Sequence, residues 1–148
     1  MKRFVVLFFF AAITFEASGS TESELKETID RLLANSNGLV EGFDIHQLSS
    51  SGDAVAATAL RILDPKKSLS EEQVSCLVWM IDASFYDVDL IENADNRVPG
   101  VSLFFLTHIA KSSYSPSLKS KIANTTEHLM AVRSRVLGKN RLATPPSR

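Results

Sequence analysis

Apolar residues recur every three or four positions along most of this chain, the spacing that gathers them on one side of a helix. Leu25, Ile29, Leu32 and Leu33 make the first stripe. It opens on Thr21-Glu22-Ser23-Glu24, a capping box in which Thr21 and Glu24 satisfy each other's backbone N–H groups. It stops at Asn35-Ser36-Asn37-Gly38, residues that tolerate a left-handed turn. A short helix is expected over 44–48, followed by a break at Ser49-Ser50-Ser51-Gly52. Val55, Ala56, Ala59, Ile62 and Leu63 form the next stripe, with Asp53 as its cap. Asp64-Pro65 ends it, because the residue before proline avoids the helical region. Ser68 and Ser70 each offer a capping box, with Glu71 and Gln73 respectively. From Glu71 to Phe85 two faces are apolar: Val74, Leu77, Val78, Ile81 and Phe85 on one, Cys76, Trp79, Met80 and Ala83 on the other. A helix apolar on two sides packs on two sides. Residues 71–85 are therefore expected to form the central helix, with Trp79 buried.

The acidic stretch Asp87 to Asn96 reads as a connector with a short helical turn. Pro99 suits a first helical position. Val101, Phe104, Phe105 and His108 lie on one face of the helix it starts, and Leu103, Leu106 and Ala110 on another, so this helix is expected to be largely buried. Ser115-Pro116 opens the last helix, whose stripe is Leu118, Ile122, Thr125, Leu129, Val132 and Val136. Gly138 is expected to close it and 139–148, with Pro145-Pro146, to be a flexible polar tail. No segment alternates long enough to argue a sheet.

Two helix pairs stand 46 residues apart: Asp53 to Leu63 with Ser70 to Phe85, and Pro99 to Ser112 with Pro116 to Leu137. At that offset Val55 falls on Val101, Leu60 on Leu106 and Leu63 on Ile109. Over residues 53–137 this resembles a HEAT-like or armadillo-like helical repeat, with units of about 40 to 47 residues. The resemblance implies stacked helix pairs that bind another protein on a helical face. The expected fold class is all-α, either a small HEAT-like α-α superhelix or an irregular helical bundle of about five helices.

The amino terminus changes the picture of where the chain works. Lys2 and Arg3 precede an apolar run from Phe4 to Phe15, and Ala17, Ser18, Gly19 and Ser20 follow. A basic start, a short apolar core and a small-residue exit make a secretory signal peptide. The run is shorter than the about 20 residues of a membrane-spanning helix. Cleavage is expected after Gly19 or Ser20. The layout is then a signal peptide over 1–19, a helical domain over 20–138 and the tail over 139–148. The mature chain is expected to be secreted or periplasmic, with no transmembrane segment. Cys76 is the only cysteine, which rules out an intrachain disulfide and leaves packing to hold the domain together.

The formal net charge of −1 hides an asymmetry. Residues 20–110 carry 15 acids and 6 bases, and residues 111–148 carry 8 bases and one acid, Glu127. Either the two parts balance each other within one fold, or the basic end meets an anionic surface. Contacts to such a surface would come from Lys119 and Arg133 on one flank of the last helix and Lys121 and Arg135 on the other. In the first reading their stems cover the edges of a packed helix while the charges stay in water.

Motifs for chemistry are sparse. His46, His108 and His128 are far apart and lack a second ligand at metal spacing. His108 is expected to be a hydrogen-bonded core residue. Asp87-Val88-Asp89 starts like a calcium loop, yet Glu92 stands where the sixth-position glycine belongs. Ser23-Glu24-Leu25-Lys26 matches S-x-x-K without its companion motifs. Asn124-Thr125-Thr126 is a glycosylation sequon, with Thr125 facing the expected core and Asn124 facing away. No cofactor, metal site or nucleic-acid partner is expected. The leading expectation is an exported, non-catalytic protein-binding module of adaptor or inhibitor type. Binding of an anionic membrane or lipid surface through the basic C-terminal helix is the alternative. An enzyme with a site assembled from distant residues ranks third, and a concave pocket converging Asp82, His108 or His128 would raise it.

Overall fold

The computed structural model describes residues 22–34, 48–62, 68–91 and 93–143. The described residues form an all-α domain: α1 (Glu22–Ala34), α2 (Ala54–Ile62), α3 (Glu71–Ala83), α4 (Gly100–Ile109) and α5 (Pro116–Ala143). Two 3-10 turns, Val88–Leu90 and Ala94–Arg97, connect α3 to α4. The signal segment, the Thr21 cap, residues 44–47 of the expected short helix and the chain end beyond Ala143 lie outside the described residues.

Capping chemistry sets where α3 and α5 begin. Ser70 Oγ accepts from the Gln73 N–H at 3.2 Å, and Gln73 Oε1 accepts from the Ser70 N–H at 3.0 Å. This is the second of the two boxes offered by the sequence. Glu71 is thereby left to accept from the Ser115 N–H at 2.9 Å, at the entrance to α5. Ser115 Oγ in turn accepts from the Leu118 N–H at 3.4 Å.

α1 packs on α2 and α3, α2 packs on α4, and α3 packs on α5, with further contacts inside the α2–α3 and α4–α5 pairs. The helices therefore stack as three layers: α1, then α2 with α3, then α4 with α5. Ile29 from α1, Val55 from α2, Leu77 and Ile81 from α3, Leu106 from α4 and Leu129 from α5 meet in one core. Leu48, Phe85 and Ile91 fill it from the connections.

α3 is central, as its two apolar faces predict, but its second face is only part-covered. Met80 and Ala83 are buried, whereas Trp79 and Cys76 are half-buried. The expectation of a buried Trp79 is corrected: the layer above it, α5, leaves a valley beside the indole. α4 departs from expectation in the same way. It buries Ser102, Phe105, Leu106 and Ile109, while Phe104 is 59% exposed. His108, expected in the core, lies on the surface and stacks on Phe104 with ring centroids 6.4 Å apart. Among the described residues α4 lies in the last layer, packed by α2 and α5, and its Phe104–His108 face is exposed. The tail expected over 139–148 is also shortened from its start. α5 runs through Gly138 to Ala143, and Lys139 Nζ reaches Asp89 Oδ1 at 3.1 Å.

Candidate functional site

α3 and α5 run side by side in the same direction. Ser75 Oγ accepts from Lys121 Nζ at 2.8 Å, and one turn pair further along Asp82 Oδ1 lies 2.9 Å from His128 Nδ1. Both partners advance together, so the helices are parallel, and both bonds join residues 46 apart. Trp79 and Thr125, at the same separation, face each other between these two bridges and line a common groove.

That groove has a volume of about 610 Å³. α3 and the turn after it supply Trp79, Asp82, Phe85 and Tyr86. α5 supplies Lys121, Asn124, Thr125, His128 and Arg135. Helical spacing explains the set: residues three and four apart share a face, and 121, 125, 128 and 135 fall on one edge of the buried α5 stripe. Thr125 and Phe85 are buried and form the floor, and Tyr86 is 74% exposed at the rim. The sequon reading holds in its geometry: Asn124 is exposed and Thr125 is turned inward.

The charges along the groove are unequal. Among the described residues that line it, Lys121, Arg135 and His128 face a single acid, Asp82. The Asp82 and His128 side chains are 33% and 41% exposed, so water reaches their bridge. Near Arg135, the Asp89 carboxyl is held below its ordinary range by the hydrogen bond and charge of Lys139, with a weaker pull from Arg135. At the other end, burial pushes the Cys76 thiol up, and the neighbouring Lys121 pulls it partly back. A raised thiol is a poor nucleophile at neutral pH.

The structure divides the four expected surface cations. Lys121 and Arg135 line the groove. Lys119 and Arg133 are exposed on the opposite flank of α5, separated from the first pair by the buried stripe. It also brings together Asp82 and His128, which no sequence motif linked, and leaves His108 apart on α4. The signal for the pairing was the 46-residue offset itself. Among the described residues no group of three or more His, Cys, Asp and Glu side chains gathers as a metal site. Among them, too, no helix is long and apolar enough to cross a membrane. No protein-family model, curated protein or solved structure matches the chain.

Proposed function

We propose that this protein is an exported, non-catalytic binding module of adaptor or inhibitor type that holds a segment of another protein in the α3–α5 groove. The observation that carries this reading is the aromatic groove itself. A half-buried Trp79 and an exposed Tyr86 line a concavity between two rigid helices. Tryptophan, tyrosine and arginine are the residues most enriched where partners bind tightly. We further read residues 53–137 as two stacked HEAT-like units. Parallel packing of α3 on α5 with bonds between residues 46 apart supports this, as does the packing of α2 on α4. A groove along successive parallel helices is the natural binding surface of such a stack.

Binding of an anionic membrane through α5 has less support. An interfacial helix lays its apolar face into the headgroup region, and here Leu118, Ile122, Leu129 and Val132 are buried in the core instead. The enzymatic reading draws on one observation, the meeting of Asp82 and His128 in a concave groove. A carboxylate that orients an imidazole is half of a general-base arrangement. The same pair also ties α3 to α5, a role that needs no substrate.

A photo-crosslinking residue in place of Asn124, compared with one in place of Lys119, tests the proposal in cells that make the protein. The expected result is a covalent adduct with one defined polypeptide from position 124 and none from 119. Adducts from both positions, or from neither, overturn it. Flotation of the chain with phosphatidylserine vesicles, lost when all four cations are reversed, would establish the membrane alternative.

A further inference from the structure

We infer that the groove takes an extended peptide segment carrying two acidic side chains with an apolar side chain between them. This rests on the protein-binding reading above and names the chemistry of its partner.

The length of the groove decides the class of ligand. Lys121 and Arg135 are both on its wall, and fourteen residues of α5 separate them. At 1.5 Å rise per residue they stand about 21 Å apart along the helix. A compact ligand such as a monosaccharide or a single phosphate group cannot reach both. An extended peptide, at about 3.3–3.6 Å per residue, covers the distance with about six residues.

Charge decides which peptide. Among the described residues Asp82 is the only acid on the wall, and His128 already faces it at 2.9 Å. Lys121 donates to a neutral hydroxyl, Ser75 Oγ, which carries no charge to offset its own. Arg135 is fully charged at any physiological pH, and its planar fork matches a carboxylate in two-point geometry. A basic segment would meet two like charges, and a neutral one would leave the positive excess unmatched, since Asp89, the acid near Arg135, is itself bound by Lys139. The acids of the partner therefore sit at the two ends of the groove. Between those ends lie Trp79 and the exposed Tyr86, beside the Asp82–His128 bridge and above the buried Phe85. An apolar side chain placed there covers the indole and the ring edges, and removes apolar surface from water. The resulting pattern is an acid, two residues, an apolar anchor, two residues, and a second acid.

The test is a selection of phage-displayed random dodecapeptides on the immobilised full chain, followed by titration of the selected peptides. Trp79 is the only tryptophan, so its fluorescence reports occupancy directly. The expected peptides carry acids on both sides of an apolar residue within a span of about six. Their affinity should fall about tenfold or more in Lys121→Glu/Arg135→Glu and stay within about twofold in Lys119→Glu/Arg133→Glu. Both pairs are exposed, and thermal melts confirm that each variant is folded. If charge reversal at the groove disturbs folding, the neutral pair Lys121→Gln/Arg135→Gln takes its place. Peptides without acid preference, lost in Trp79→Ala but not on charge reversal, overturn this inference while the groove remains a protein-binding site. Equal losses in the two charge-reversed pairs overturn it in favour of diffuse attraction. No selected peptide together with vesicle binding, or self-association abolished by Lys121→Glu/Arg135→Glu, overturns it in favour of a lipid surface or a second copy. No selected peptide and neither of those overturns both this inference and the groove as a peptide site.

Discussion

Gly52 takes a φ of +55°, and a Cβ built on it would sit 2.2 Å from the Asn96 carbonyl oxygen. Backbone on the facing side cannot swing away as a side chain could. The close approach lets the Gly52 N–H reach the Ser84 carbonyl at 2.9 Å and the Asp53 N–H reach the Asn96 carbonyl at 3.0 Å. Gly52→Ala should therefore lower stability by about 1–3 kcal/mol in urea unfolding. Asp53 was expected to cap its own helix. Its carboxylate instead accepts from the Val101 and Ser102 N–H groups, both at 2.7 Å, and from the Ser102 hydroxyl at 2.6 Å. It caps α4 from 48 residues away, where Pro99 has no side chain able to do so. Asp53→Ala leaves these donors without an acceptor and should cost about 1–3 kcal/mol. Burial pushes the Asp53 carboxyl above its ordinary value of 3.8, and the bonds from Ser102 and the backbone draw it partly back. Just above pH 3.8 the folded chain then holds a proton that the unfolded chain has released. Stability from this group is full below that pH and falls as pH rises through the folded value. The stability of the natural sequence relative to Asp53→Asn, read by urea unfolding, should therefore fall as pH rises across this range. Trp79, half-buried beside the groove, should lose less on truncation than a core tryptophan. About 1–2 kcal/mol is expected for Trp79→Ala, against about 3–5 for full burial, and its fluorescence should be quenched by acrylamide in the folded state.

α5 shows how one element serves packing and surface chemistry at once. Its buried stripe runs from Leu118 to Val136, so Leu129→Asp should unfold the domain, because an unpaired charge in the core is costly. Circular dichroism should show loss of helix at neutral pH. The same helix contains a glycine that nothing requires. A Cβ on Gly138 would meet no atom within 4 Å, and its φ is not left-handed. Gly138→Ala should raise stability by about 0.5–1 kcal/mol, read as a higher urea midpoint at unchanged slope. An unchanged or lowered midpoint would mean that α5 ends before Gly138 in solution.

At the scale of the whole molecule, the offset of 46 residues organises the contacts. The Lys121–Ser75 and His128–Asp82 bridges act as rungs between parallel α3 and α5, while Asp53 joins the starts of α2 and α4. The His128–Asp82 rung is part-exposed, so a double-mutant cycle with Asp82→Asn and His128→Gln should give a coupling of about 0.2–1 kcal/mol, smaller at high salt. The acidic and basic parts of the chain meet along this same seam at Asp89 with Lys139, and Glu71 accepts from the Ser115 N–H at its other end. Lys121 and Arg135 are the cations that line the groove.

Helix number, order and most of the core stripes were legible in the chain because local spacing and capping chemistry determine them. The Ser70 box and the burial of Val74, Leu77, Ile81, Leu118, Ile122 and Leu129 follow from spacing within four or five residues. What only the tertiary structure decided concerns partners dozens of residues away. Phe104 and His108 stand four residues apart, as Phe105 and Ile109 do, yet among the described residues no layer lies beyond α4, so one pair is exposed and the other buried. Asp53 could cap either α2 or α4, and the choice fell to α4 because Gly52 brings the two helix starts together. Trp79 reads as core from its own helix, and α5 stops short of covering it. The groove exists only because two stripes 46 residues apart lie parallel, a relation between elements that no local window of sequence contains.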